Sequence, residues 1–311
     1  MPLDPLAKRL LAMMAAAASS ERARPATHER RQSLAKLMQF AKAGTAAVTT
    51  IDGVLPGSAG DIPYRLYTSA GDEKPHLPGF VFFHGGGMVA GSIDTHDRIA
   101  AGLAEATGCR LMSVGYRLAP EHKFPAAVED AIAATEFVSH HAASLGIDAT
   151  RLVVGGDSAG ATLAAVVCQH ALRHGASAIL AQCLICPVLD FEETSPSRDT
   201  FAENYLIDRL TLEADLADYL PEGTDPADPR VSPLRATRLT GLPAAIIHTA
   251  EFDPMRDEGN AYASKLLAAG VTVEHICHDG MIHNFHAMGA ILPQARLVLL
   301  QIGEQIRRTV A

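Results

Sequence analysis

Short apolar runs rich in β-branched and aromatic side chains recur along the chain at Pro63–Tyr67, Gly79–Phe83, Arg110–Tyr116, Arg151–Gly155, Ile179–Leu184, Ala244–Thr249 and Val271–Cys277, and predict seven strands. Between the later runs, apolar positions recur at helical spacing over His96–Thr107, Ala126–Ser144, Ala159–Arg173, Met255–Ala269 and Gln294–Arg307. Alternation of this kind predicts an α/β fold: right-handed crossovers, a mostly parallel central sheet flanked by helices, and ligands at the carboxyl ends of the strands. Two stretches break the pattern: residues 1–50, an Ala-rich helical segment, and Phe191–Leu220, a loop with a helix bounded by Ser195-Pro196-Ser197 and the Asp225–Pro229 turn. The expected organisation is an N-terminal pair of cap helices (1–50), a core in two parts (51–190 and 226–311) and a cap insertion (191–225). Both cap segments would lie over the active edge of the sheet.

Composition narrows the function. Of 311 residues, 48% are hydrophobic and 20% charged, with 26 Lys+Arg against 35 Asp+Glu for a formal net charge of −9. The acidic balance and lack of a dense basic run argue against a nucleic-acid partner. The apolar segment Ala178–Leu189 is cut by Gln182 and Pro187, so nothing approaches the roughly 18 residues of a membrane span. Five scattered cysteines (Cys109, Cys168, Cys183, Cys186, Cys277) suit a reducing cytosol better than a disulfide framework, which implies a cytoplasmic protein. Cys183 and Cys186 have redox or zinc spacing, but three residues apart on a strand they are expected to face opposite sides as buried structural thiols. Lys8-Arg9 before Leu10–Ala18 imitates a signal peptide, yet Leu6, Leu10, Met13 and Met14 repeat at helical spacing and Asp4 sits where the basic segment should be.

The sharpest chemical signal is Gly156-Asp157-Ser158-Ala159-Gly160, set between a strand and a helix. A serine in so tight a turn presents its hydroxyl, and glycines two residues either side prevent side-chain collision, the arrangement of a nucleophile elbow. A phosphate loop would need lysine where Ala161 stands. The second signal, His84-Gly85-Gly86-Gly87 after a strand, suits an oxyanion hole, because consecutive glycines let backbone amides reach a tetrahedral intermediate. Gly85 and Gly86, with Ala159, are the expected donors, and His84 and Gly87 the loop's support. A dinucleotide fingerprint is disfavoured, since the next strand ends at Gly115-Tyr116-Arg117 without an acid.

A serine hydroxyl needs a base, and the base an orienting acid, in the chain order Ser, acid, His. Asp253 follows the strand Ala244–Thr249, with Glu251 and Asp257 as competitors; His283 lies in the loop after Val271–Cys277, with His286 as rival. The cluster of four histidines (His275, His278, His283, His286) lacks HExxH, no cysteine pair shares its loop, and strand-borne His275 would point away from loop-borne partners, so no metal is expected.

With these residues in place the chain resembles the bacterial hormone-sensitive-lipase-like esterases of the α/β-hydrolase superfamily. The matching stretches are His84–Gly87, Tyr116–Ala127, Gly156–Gly160 and Asp253–Gly259. The resemblance implies an α/β-hydrolase fold with a helical cap and cofactor-free hydrolysis of short- to medium-chain carboxylic esters. It assigns Ser158 as nucleophile, Asp253 as orienting acid and His283 as base, and suggests a homodimer through an edge strand. Amidase or lactonase chemistry would use the same triad, whereas a non-catalytic receptor on this scaffold would have lost one of its members. Relative to the family pattern, the chain has Ala161 and Asn284 where glycines are usual, Met88 where an aromatic often follows the glycines, and no tryptophan.

Overall fold

The computed structural model describes all residues except 18–23, 42–43, 45, 73, 176–178 and 193–194; the end of the Ala-rich Leu10–Ala18 stretch and Ala178 lie outside the described residues. An eight-stranded sheet has the order β1-β2-β4-β3-β5-β6-β7-β8. Its strands are β1 (Val48–Gly57), β2 (Gly60–Ser69), β3 (Leu77–Phe83), β4 (Arg110–Val114), β5 (Ile147–Asp157), β6 (Ile179–Ile185), β7 (Ala244–Phe252) and β8 (Val273–Ile282). β1 and β2 form an antiparallel hairpin, β2 is antiparallel to β4, and the rest run parallel.

Seven of these strands match apolar runs; β1 does not. Its residues Thr49, Thr50 and Asp52 face solvent on the sheet's edge, so it never needed the apolar content that marks the others. β7 and β8 also run further than expected, to Phe252 and Ile282, which places Asp253 and His283 directly after strand ends.

Both faces of the parallel strands are covered, because successive side chains point to opposite layers. Phe80 and Phe82 enter the core beneath α3 (Asp97–Thr107) and α9 (Pro293–Thr309), while Val81 and Phe83 enter the one beneath α4 (Ala126–His141), α5 (Ala159–His174) and α8 (Arg256–Ala268). Cys183 and Cys186, expected on opposite faces, share a layer. Cys186 stands just beyond β6 with φ 45°, and that turn brings its thiol back to the face of Cys183. All five cysteines are free.

Over the carboxyl ends of the strands lie α1 (Pro5–Ala17), α2 (Thr27–Ala41), α6 (Pro196–Thr200) and α7 (Arg209–Tyr219). Side-chain caps start the last two: Ser195 Oγ accepts Arg198 N, and Asp208 Oδ1 accepts Thr211 N at 2.8 Å. Buried Glu258 on α8 anchors the insertion by accepting the amides of Leu189 and Asp190 and the Nε–H of Arg198. Arg30 on α2 bridges to Asp215 and Asp218 on α7, joining two segments far apart in sequence.

Candidate active site

Ser158 follows β5 and precedes α5 with φ 52° and ψ −118°, a region L-residues seldom occupy. The turn is held by Ser158 N donating to the Ile185 carbonyl at 2.8 Å. A Cβ on Gly156 would overlap the Gly160 backbone and the Phe83 carbonyl, and one on Gly160 would overlap the same carbonyl. The two glycines therefore let the elbow press against the end of β3, where the glycine loop begins.

Ser158 Oγ lies 3.1 Å from His283 Nε2, and His283 Nδ1 lies 2.7 Å from Asp253 Oδ2. Asp253 Oδ1 accepts the Met255 amide at 2.9 Å, which fixes the carboxylate plane. With Nδ1–H donating to Asp253, Nε2 is left as the acceptor that faces the serine hydroxyl. All three side chains are buried.

The rivals have other partners. Glu251 accepts the N-terminal ammonium and the Gly280 amide, and Asp257 accepts Ser197 N. His286 Nε2 faces Asp157 Oδ2 at 3.7 Å. His278 pairs with His248 at 2.8 Å and His275 with Thr249, so the four histidines of this region do not converge on one point. Asn284 takes φ 60° and ψ 12°, a left-handed turn that asparagine tolerates, so the loop keeps its course without a glycine.

The oxyanion assignment needs one correction. The Gly85 amide donates to Asp157 Oδ1 at 3.0 Å, and a Cβ on Gly85 would collide with the same carboxylate. Gly85 is thus a fixed point of the loop rather than a free donor. Gly86 (φ 122°) and Gly87 (φ 66°) border the cavity beside Ser158 and His283, and among the described residues neither amide has an acceptor. The Ala159 amide, at the first position of α5, has no intrahelical acceptor. Among the described residues the amides of Gly86, Gly87 and Ala159 are thus without an acceptor, whereas that of Gly85 has one.

His84 shapes this loop. Its Nδ1 is 2.8 Å from the Gly85 carbonyl oxygen, its ring stacks on Tyr116, and Tyr116 Oη donates to the His84 carbonyl at 2.7 Å. Burial pushes the imidazole down to about 3, so it is neutral at ordinary pH. Asp157 is buried too. Desolvation works to raise its carboxyl, but neighbouring His96 and His286 hold it well below the usual carboxylate range.

Sequence reasoning missed the roles of Asp157 and Tyr116, and also Cys186. Its sulfur lies within 4.8 Å of ligand-capable atoms of Asp253 and His283. Burial is the main cause that pushes the thiol well above its ordinary range, so it stays protonated. Its place directly after a strand of the parallel sheet was the available signal.

The cavity over Ser158 has a volume of about 230 Å³. Leu34, Leu37, Leu206 and Ile207 supply an apolar wall; Arg30 and Asp215 supply a polar one. No helix among the described residues is long and apolar enough to cross a membrane.

A family model described as alpha/beta hydrolase fold (Abhydrolase_3) matches residues 80–287. The chain is 41% identical over 244 residues to carboxylic ester hydrolase LipN of Mycobacterium tuberculosis, covering 76% of this chain and 64% of that protein. It is 38% identical over 250 residues to ethyl acetate hydrolase of Pseudomonas putida, covering 79% and 78%. A solved ester-hydrolase, EH1AB1 from the Lake Arreo metagenome, superposes with a TM-score of 0.95 at 38% identity over 98% of both chains. Motifs, sheet topology and relatives agree, and the chain belongs to the Abhydrolase_3 family of α/β hydrolases, the hormone-sensitive-lipase-like group.

Proposed function

We propose that this α/β hydrolase is a serine carboxylesterase acting on short- to medium-chain esters through Ser158, His283 and Asp253. The observation that carries this reading is the continuous hydrogen-bonded line from Asp253 through His283 to Ser158. His283 Nε2 takes the hydroxyl proton as Ser158 Oγ bonds to the ester carbonyl carbon. The resulting oxyanion accepts from the amides of Gly86, Gly87 and Ala159. As the intermediate collapses, the bond to the alkoxy oxygen breaks and Nε2–H protonates the departing alcohol. Water then attacks the acyl-enzyme, gives its proton to Nε2, and releases the acid while Ser158 is reprotonated. Asp253 holds the ring and stabilises the imidazolium in both halves.

The apolar cavity wall favours acyl chains of several carbons, and relatives named as ester hydrolases support the reaction class. The five free cysteines suit a reducing, cytoplasmic setting. Hydrolysis of a p-nitrophenyl ester series from acetate to palmitate tests the assignment. Turnover should be highest at the short to middle lengths and fall by roughly 10⁶-fold in Ser158→Ala. Near-normal turnover by that variant refutes it.

A further inference from the structure

The polar wall of the cavity carries a group that the ester reaction as described does not use. Asp215, on the cavity face of α7 with Thr211, accepts an Nη1–H of Arg30 at its Oδ1. Its Oδ2 has no hydrogen-bond partner among the described residues, and the side chain, 16% exposed, lines the cavity. That oxygen lies against Gly87, where even a Cβ on the glycine would overlap it. A carboxylate oxygen is therefore left open beside the loop expected to hold the oxyanion.

Charge at this place is not balanced. Arg30 is shared between Asp215 and Asp218, and Glu29 lines the same cavity. The next cation, Arg24, stands at 3.7 Å from Asp218 and donates to the Ala214 carbonyl, not to Asp215. Burial pushes the Asp215 carboxyl up to about 7 despite Arg30, so a second cation beside it would favour the ionised form. A cation delivered into the cavity would supply it. An aliphatic chain passing Asp215 would instead desolvate the open oxygen with nothing in return.

We propose that Asp215 is a specificity-determining residue whose open oxygen receives an ammonium group carried on the ester a few atoms from the scissile carbonyl. The substrate class is thus an amino-substituted ester, with the cation on Asp215 and the remaining chain against Leu34, Leu37, Leu206 and Ile207. This inference rests on the esterase reading of the same site and adds the substrate class to it.

The test compares near-isosteric esters at pH 7 on the purified full chain. In the acyl arm, β-alanine ethyl ester is set against ethyl butyrate; in the alcohol arm, 2-(dimethylamino)ethyl butyrate is set against 3-methylbutyl butyrate. In at least one arm the cationic-to-neutral ratio of kcat/KM should be about tenfold or more higher in wild type than in Asp215→Asn, the scale of one charge-assisted hydrogen bond. Ratios within twofold of each other in both arms overturn the proposal. Should the variant fail to fold, wild type alone decides: butylammonium should inhibit butyrate ester hydrolysis competitively and well below the concentration at which n-butanol does. Equal inhibition by the two overturns it. If none of the four esters is hydrolysed, the esterase reading itself falls; if they are and the ratios do not move, only the role of Asp215 does.

Discussion

Asp157 Oδ1 accepts the backbone N–H of Gly85 at 3.0 Å, tying the residue before the nucleophile to the first glycine of the loop that faces it. β3 and β5 are neighbours, with Phe83 paired to Gly156, so this bond joins the ends of two adjacent strands where serine and amides must keep register. The other oxygen of Asp157 faces His96 and His286 at 3.5 and 3.7 Å. The carboxylate thus holds the loop with one oxygen and faces two rings with the other.

Replacing Asp157 with asparagine leaves an oxygen for Gly85 but turns an uncharged NH2 donor toward the two imidazoles. We expect Asp157→Asn to lower kcat by roughly 10- to 100-fold on p-nitrophenyl acetate with KM changed less than threefold, because the amides that hold the transition state shift while the cavity does not. Steady-state kinetics decide this. An unchanged kcat would show that the tie does not position the loop.

His283 and His286 lie in one segment, but one ring faces Ser158 and the other Asp157. His283→Ala should cost on the order of 10⁴- to 10⁶-fold in kcat, since no base remains for Ser158. His286→Ala should keep kcat within about tenfold, because that ring touches Asp157 rather than the serine. A greater loss in the His286 variant would reverse the assignment.

Arg30, almost fully buried, joins α2 to α7 through two carboxylates. Arg30→Met leaves Asp215 and Asp218 without their shared cation, a change that for a buried pair costs about 3 kcal/mol. The loss should be local. Amide hydrogen exchange in α2 and α7 should speed up while that of β5 does not, and uniform protection across the variant would contradict a cap held by this bridge.

Acid should destabilise the fold through histidines that are buried uncharged. Burial holds His84 and His248 each down to about 3, below the ordinary value of 6.5. The unfolded chain therefore binds protons that the folded one refuses. Stability from these two groups is complete above pH 6.5 and drains away as pH falls toward 3, at on the order of 3 kcal/mol per pH unit for the pair. Urea midpoints at pH 7.5 and pH 5 measure this, with the lower midpoint expected at pH 5. His84→Gln and His248→Gln should each flatten the dependence.

The residues proposed as catalytic were legible because each is bound to a local backbone requirement. Gly156 and Gly160 admit no side chain against the Phe83 carbonyl, so the elbow shows itself as a glycine spacing. Asp253 and His283 follow strand ends, and the parallel sheet sends functional side chains there. Gly85 was misread because three consecutive glycines look alike in sequence, and only the fold reveals that a carboxylate 72 positions away already occupies one amide. The bridge from Arg30 to Asp215, 185 positions apart, has no local signature at all. β1 escaped notice because an exposed edge strand carries polar residues.

The central claim, that Ser158 is an activated nucleophile in this esterase, is tested most directly by intact-mass analysis after treatment with diethyl p-nitrophenyl phosphate. Oγ should displace p-nitrophenolate at phosphorus, adding one diethylphosphoryl group per chain at Ser158, with activity lost in proportion to the label. The Ser158→Ala protein should take no label and show no turnover above background. Stoichiometric labelling of another residue, or ester hydrolysis by the alanine variant at near the wild-type rate, would contradict the account.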